Sequence, residues 1–241
     1  MEQISKKFSL PAHKAGAGLV LLVAAIIVVL WRVGQPSPAP VPGSAFAALI
    51  DRGLDSAGKA ELELRIQTLE AAMREDTEAS EDISNMLQLG NLKYAYGDLA
   101  GAKEWYERIL ADHPRDAPAL ENLGQALYEM GDVTGAEARW RAAIVVNSYE
   151  PTYLKLADLI DERLPEKRSE IGHILEEAIA TLGQTPGLLA RLGAWYEAQG
   201  LYAQALSHYE IALQLDPDDA ALKVRIDEVR QAMQRAQMFS S

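Results

Sequence analysis

Residues 192–217 read LGAWYEAQGLYAQALSHYEIALQLDP, and the order of residue types in this stretch decides the fold. It begins with a Leu-Gly pair. A second glycine, an alanine, a tyrosine and a proline then follow at Gly200, Ala205, Tyr209 and Pro217. The same order of residue types starts at two earlier points in the chain. The corresponding residues there are Leu89, Gly90, Gly97, Ala102, Tyr106 and Pro114, and then Leu123, Gly124, Gly131, Ala136 and Trp140.

These copies recur at a fixed period. Gly90 and Gly124 are 34 residues apart, and Gly124 and Gly193 are 69 residues apart, which is two periods plus one residue. Each copy has room for two antiparallel helices joined by a short turn. A unit of this size does not bury its apolar face alone, so we expect neighbouring units to stack around a continuous core.

Each repeated residue type has a structural reason. The first glycine of a copy lets the first helix approach its neighbour closely, and the second suits the turn because a left-handed backbone costs glycine least. Asp98 and Asp132 follow two of these turn glycines and are predicted to cap the second helix. The alanines allow close packing, and the rings of Tyr106, Trp140 and Tyr209 are expected to fill the space between units.

These residues resemble the tetratricopeptide-repeat family over residues 83–219. The resemblance implies an all-α fold, a right-handed superhelix of helix-turn-helix pairs whose inner groove binds peptides or partner domains. We expect four units, of which the third is irregular. In that unit residues 164–169 replace the glycine turn, and Pro165 ends the first helix.

The resemblance also implies which residues face a partner, because in this family they come from the first helix of each pair. Asn91, Asn122 and Lys155 fall at or near positions that some relatives use to hold the C-terminal carboxylate of a peptide. Leu87 and Thr152 stand where two further basic residues would be expected, so contacts of amide and tyrosine groups with an extended backbone remain an alternative. Exposed helix residues without a partner are a third possibility. The expected groove residues are Asn91, Tyr94, Asn122, Gln125, Tyr128, Lys155, Asp158 and Arg191.

Residues 57–82 are predicted to be a leading helix followed by a polar connection at 74–80. Apolar residues recur along this helix at steps of four, three and four, which gives it one apolar face. That face either packs against the first repeat or forms a short coiled-coil seam. Its residues are Leu62, Ile66, Leu69 and Met73.

Residues 220–241 are predicted to be a capping helix and tail. An apolar stripe on one side and charged residues on the other suit the open end of a solenoid, although a partner-binding helix is the alternative. The stripe consists of Leu222, Ile226, Val229 and Met233.

Residues 15–33 are predicted to be a transmembrane anchor. Residues 15–31 carry no charge, and at about 1.5 Å per residue they reach roughly 26 Å, enough for a thin bilayer core. A cleaved signal peptide would have a shorter apolar core with a cleavage site soon after it. Residues 34–56 are a predicted linker, semi-rigid because residues 34–44 contain four prolines.

The charges around the anchor predict its orientation. Residues 1–14, the predicted cytoplasmic tail, contain three lysines, whereas only Arg32 follows the span until Arg52. Basic residues stay on the cytoplasmic side, so we expect the repeats in the periplasm of a bacterium, attached to the inner membrane. Repeats facing the cytosol are the alternative.

Composition argues against several functions. The chain has no cysteine, which removes disulfides and thiol chemistry. Beyond residue 32 it holds 34 acidic and 19 basic residues, so nucleic-acid binding is not expected. His173, Glu176 and Glu177 are the one close His–carboxylate group and lack the second histidine of HExxH, and no nucleophile motif is present. We therefore predict no catalytic residue, no metal site and no cofactor.

The predicted function is a membrane-anchored scaffold or adaptor that docks a partner protein or peptide. The order of anchor, linker and repeats is similar to that of tetratricopeptide-repeat subunits that assist cytochrome c maturation, and to single-span proteins of envelope complex assembly. An accessory subunit held in a membrane complex mainly by its transmembrane helix is the alternative.

Overall fold

The computed structural model describes residues 49–240, excluding the side chains of the last two. The predicted tail at 1–14, the anchor at 15–33 and most of the linker lie outside the described residues, so those predictions remain untested. Between residues 49 and 240, no helix is both long enough and apolar enough to cross a bilayer.

The described chain forms eleven α-helices and one short 3-10 helix, with no β-strand. Most successive helices pack against each other, and α3 to α10 form four helix pairs between a leading helix and a terminal one. This all-α solenoid confirms the predicted fold class for the described residues. In order, the helices are α1 Ser56–Glu75, α2 Thr77–Glu81, α3 Ile83–Tyr96, α4 Leu99–Asp112, α5 Ala117–Glu129, α6 Val133–Val146, α7 Glu150–Arg163, α8 Glu170–Leu182, α9 Pro186–Ala198, α10 Tyr202–Leu215 and α11 Ala220–Ser240, with the 3-10 helix Pro165–Lys167 between α7 and α8.

The glycine in the first helix of a unit is required by a ring from the second helix of the same unit. A Cβ at Gly124 would lie 2.5 Å from Nε1 of Trp140, which is only 2% exposed. Tyr106 and Tyr209 cover the corresponding glycines of the first and fourth units in the same way. The rings also belong to core clusters that continue into the next element, as the sequence predicted.

The turns between paired helices follow the predicted chemistry. Gly97, Gly131 and Gly200 have φ values of 96°, 84° and 73°, which L side chains rarely adopt. Asp98 and Asp132 cap the helices that follow, each accepting a 2.9 Å hydrogen bond from the backbone N–H three residues on. The turn and cap predictions are therefore confirmed.

The third unit is irregular where the sequence predicted it. Helix α7 ends at Arg163, and the 3-10 helix replaces the glycine turn. Lys167 from this turn donates to buried Glu137 at 2.7 Å, and Glu137 also accepts from Arg141 at 2.9 Å. The ring of Trp195, which belongs to the fourth unit, covers Gly172 on α8 so closely that a Cβ there would lie 2.8 Å away.

The flanking helices close the two ends of the core. Ile66 and Met73 of α1 are buried against α3, which confirms packing on the first repeat. Leu222, Ile226 and Val229 of α11 are buried and share a core cluster with α9 and α10, as predicted for a cap. The predicted polar connection at 74–80 is partly wrong. Helix α1 continues to Glu75, and Asp76 then caps the short helix α2 by accepting from the N–H of Glu78.

Candidate functional site

A small pocket lies where α3, α4 and α5 meet, with a volume of about 180 Å³. Four of its five lining residues are predicted groove residues, so the fold brings half of the predicted set together. Tyr106, the core ring of the first unit, is the fifth. The lining residues are Asn91, Tyr94, Tyr106, Asn122 and Gln125.

We call this cavity the amide pocket. Internal hydrogen bonds hold its two asparagines in place. The Oδ1 atom of Asn91 accepts from the Tyr106 hydroxyl at 2.8 Å and from Nδ2 of Asn122 at 2.9 Å. Within residues 49–240, the Asn91 Nδ2 and the Asn122 Oδ1 have no hydrogen-bond partner. The Asn91 NH2 group and the Asn122 carbonyl oxygen therefore remain available, and they complement a peptide backbone C=O and N–H.

Glu129 lies at one side of the amide pocket. Its carboxylate accepts from the Tyr94 hydroxyl and from Nε2 of Gln125 at 3.0 Å, and it forms a 2.8 Å ion pair with Arg52. Burial raises the pKa of Glu129, but these hydrogen bonds and the positive charge more than compensate and lower it below its usual value. The carboxylate is therefore held ionised.

Arg52 comes from the segment before α1, which the sequence assigned to the linker. Its guanidinium carbon lies 4.4 Å from the centre of the Tyr94 ring, and its Nε donates to the Tyr94 carbonyl at 3.3 Å. The backbone N–H of Ile50 also donates to the carbonyl of Gly97 at 3.0 Å. Residues 50–52 therefore contact the first repeat in place of acting as a free spacer. Arg52 is 77 residues from Glu129 and outside the repeats, and no sequence signal connects the two.

Tyr128 lies one unit further along. Its hydroxyl donates to Oε2 of Glu162 at 3.0 Å, and its ring centre is 5.9 Å from that of Trp140. The hydrogen bond to Glu162, together with burial and nearby carboxylates, raises the pKa of Tyr128. Glu162 was not among the predicted groove residues, although its spacing of 34 from Tyr128 is one repeat period.

The remaining predicted groove residues form a separate charged group. Arg191 forms ion pairs with Asp158 at 2.7 Å and with Asp161 at 2.9 Å, so its positive charge is neutralised within the chain. Lys155 is exposed and makes no ion pair with any residue that the structure describes. Thr152 is only 3% exposed and Leu87 packs against the core. The basic charges that a carboxylate clamp needs are therefore sparse here.

The described residues offer no metal site, because nowhere between residues 49 and 240 do three His, Cys, Asp or Glu side chains cluster suitably. The chemistry of the groove is that of amides, phenol hydroxyls and paired charges. Such groups bind and orient a polypeptide by hydrogen bonds.

Comparison with known proteins agrees with the geometry. Residues 186–219 match the family model described as "Tetratricopeptide repeat", and these residues are the fourth unit, α9 and α10. No curated protein sequence matches the chain.

Solved structures share the fold. A tetratricopeptide repeat protein from Parabacteroides merdae superposes with a TM-score of 0.60 at 16% identity, covering 76% of this chain and 72% of that one. MamA gives 0.58 at 21% identity, covering 71% of this chain and 98% of that one. YrrB, described as a TPR protein with an unusual peptide-binding site, gives 0.54 at 16% identity over 68% of this chain and 82% of its own. The fourth unit therefore matches the tetratricopeptide repeat, and the described helices share the solenoid fold of solved tetratricopeptide-repeat proteins.

Proposed function

We propose that this chain is an adaptor that docks an extended segment of a partner protein in the groove of its repeats. The observation that supports this most is the amide pocket. Asn91 and Asn122 are locked to each other by one hydrogen bond, and each keeps one amide group available. Side chains fixed in this way lose little entropy when they bind a backbone, so the pocket is pre-organised for an extended peptide.

A scaffold role without catalysis is part of the proposal. The groove supplies hydrogen bonds and paired charges, and YrrB, which shares the fold, is described as having a peptide-binding site. For this chain we propose that the bound segment lies across α3 and α5, because the pocket lies between these helices.

The proposal also includes attachment to a membrane and a role in a particular pathway. The uncharged stretch at 15–31 and the lysines before it support an inner-membrane anchor with the repeats in the periplasm. The order of anchor, linker and repeats supports a role in envelope complex assembly or cytochrome c maturation. Protease added to intact spheroplasts should then digest the repeats. Protection until the inner membrane is lysed would show that the proposed orientation is wrong.

Docking is tested by changing Asn91 and Asn122 to alanine in the full chain. The double variant should lose most of the partner that the unmodified chain retains after gentle detergent extraction, because each amide hydrogen bond contributes about 1 kcal/mol. The matched control replaces Gln204 and Gln231, two exposed amides on α10 and α11, and should retain the partner. A complex that survives the groove change would instead support the alternative, an accessory subunit held by its transmembrane helix.

A further inference from the structure

A tyrosine hydroxyl donates to a glutamate at several places along the repeats. Tyr94 donates to Glu129, Tyr128 donates to Glu162, and Tyr209 donates to Glu197. Tyr94 and Tyr128 are 34 residues apart and Glu129 and Glu162 are 33 apart, so the first two pairs are similar but one residue out of register. In both, a tyrosine on the first helix of one unit donates to a glutamate in the last turn of the first helix of the next unit. In each pair, a tyrosine ring or its hydroxyl lies beside a carboxylate. The ring face and the carboxylate each attract a guanidinium group.

At each end of the array, an arginine from outside the four units completes the pair. Arg52, before α1, lies over the Tyr94 ring at 4.4 Å and reaches Glu129 at 2.8 Å. Arg225, on the capping helix, reaches Glu197 at 2.9 Å beside the Tyr209 hydroxyl. Two such pairs in this chain are therefore occupied by arginine side chains.

The central pair differs, because no arginine bonds to it among residues 49–240. Glu162 is exposed and Tyr128 is half-buried, so the pair is open to solvent. Arg163 follows Glu162 on α7, and its charge is near enough to lower the pKa of Tyr128, but it forms no ion pair within the described chain. Asp158 acts in the opposite direction and adds negative charge beside the pair.

One further pair is not equivalent. Tyr196 donates to Glu176 at 3.3 Å, but the ring of His208 stacks on Tyr196 at 5.2 Å and covers that face. The central pair therefore joins the same kinds of helix as the arginine-occupied pair of Tyr94 and Glu129, and it lacks a bound arginine among the described residues.

We infer that Tyr128 and Glu162 bind an arginine side chain of the docked partner segment, in the way that Tyr94 and Glu129 bind Arg52. This inference rests on the proposed docking function and adds the chemistry of the partner, an extended segment that carries an exposed arginine. Tyr128 is also one helical turn from Gln125 on α5, so a segment that leaves the amide pocket along this helix reaches the pair next.

The test uses the full chain in detergent micelles, with tyrosine rings labelled with ¹³C and observed by NMR. The probe is the blocked pentapeptide Ala-Ala-Arg-Ala-Ala, and the Tyr128 signal is identified by its absence from Y128F. We expect a saturable shift of the Tyr128 signal. The same peptide with citrulline, which keeps the shape but not the charge, should bind about threefold to fivefold more weakly, as expected for an exposed ion pair.

Variants locate the site. E162Q should weaken binding of the arginine peptide about threefold to fivefold, whereas E177Q, an exposed glutamate on α8, should leave it unchanged. R163A should bind equally well or better. An unmoved Tyr128 signal, equal binding of the citrulline peptide, an unchanged affinity in E162Q, or binding seen only in R163A would each overturn the inference. The N91A/N122A variant should still bind this short peptide, so failure of the amide pocket in partner capture is distinguishable from failure of the arginine site.

Discussion

Replacing Gly124 with alanine is a direct test of how the repeats pack. Two effects oppose each other. Alanine is a better helix former than glycine by about 1 kcal/mol, which would stabilise α5. The new Cβ, however, would lie 2.5 Å from Nε1 and 2.6 Å from Cδ1 of Trp140, closer than real Cβ contacts come.

Steric strain is expected to outweigh the gain in helix propensity. Trp140 is 2% exposed and its Nε1 donates to the carbonyl of Glu121 at 3.2 Å, so the ring does not shift without losing packing and a hydrogen bond. Overpacking of a buried site costs about 1–3 kcal/mol. We therefore expect Gly124→Ala to lower the free energy of unfolding by up to about 2 kcal/mol after the gain of about 1 kcal/mol is subtracted.

Urea unfolding followed by far-ultraviolet circular dichroism measures this change. Gly187→Ala is the comparison, because the closest atom to a Cβ there is the carboxylate end of the flexible Glu150 side chain, with Leu154 at an ordinary 3.6 Å. Glu150 would give up only its 2.9 Å hydrogen bond from Thr185, so this change should cost less than Gly124→Ala. In a Trp140→Phe background the smaller ring leaves room, so Gly124→Ala should destabilise less than in the unmodified chain. If Gly124→Ala stabilised the domain by about 1 kcal/mol, the close contact between glycine and ring would be refuted.

Three further predictions follow from the contacts described. Asp132→Ala removes the N-cap of α6 and should cost about 1 kcal/mol in urea unfolding, and an Asp132→Asn variant that loses as much would contradict a capping role. The pKa of Glu129 is lowered from its usual 4.5, so its stabilising contribution is present above that value and is lost as the pH falls through the lower folded pKa. Glu129→Gln should therefore show less loss of stability than the unmodified chain on acidification below about pH 4.5, and equal acid sensitivity would exclude this role. Burial lowers the pKa of His208 from 6.5, against a smaller opposing effect of Glu176, so the folded state loses stability as the pH falls below 6.5. His208→Phe should remove that part of the pH dependence measured by thermal unfolding, and an unchanged profile would show that His208 does not cause it.

Much of the fold was predictable because its causes are local. A positive φ at Gly97 and a cap at Asp98 are properties of adjacent residues, and their order in the sequence is the order of the turn. The close contact of Gly124 with Trp140 repeats at a fixed period, so its three copies reinforce one another. Helix α2 was missed because five residues, Thr77–Glu81, carry no apolar periodicity, and the capping bond of Asp76 alone defines its start.

The site was predictable only in part. Spacing within the repeats placed Asn91 and Asn122 together, and the structure joins them by a hydrogen bond. Pairing of charges is set by long-range geometry, so the sequence did not show that Arg191 is neutralised by two carboxylates. Arg52 was missed for the same reason, because it contacts Glu129 from a segment that has no repeat pattern.

The third unit also limits how this domain can be recombined. In an ideal array, any 34-residue module could be deleted or exchanged, since every junction would present the same surface. In this domain the ring of Trp195, from the fourth unit, packs directly over Gly172 on α8. The Nε1 of Trp195 also donates a hydrogen bond to the carbonyl of Arg168 in the irregular turn. The third and fourth units are therefore matched to each other and should be inherited, transplanted or removed together.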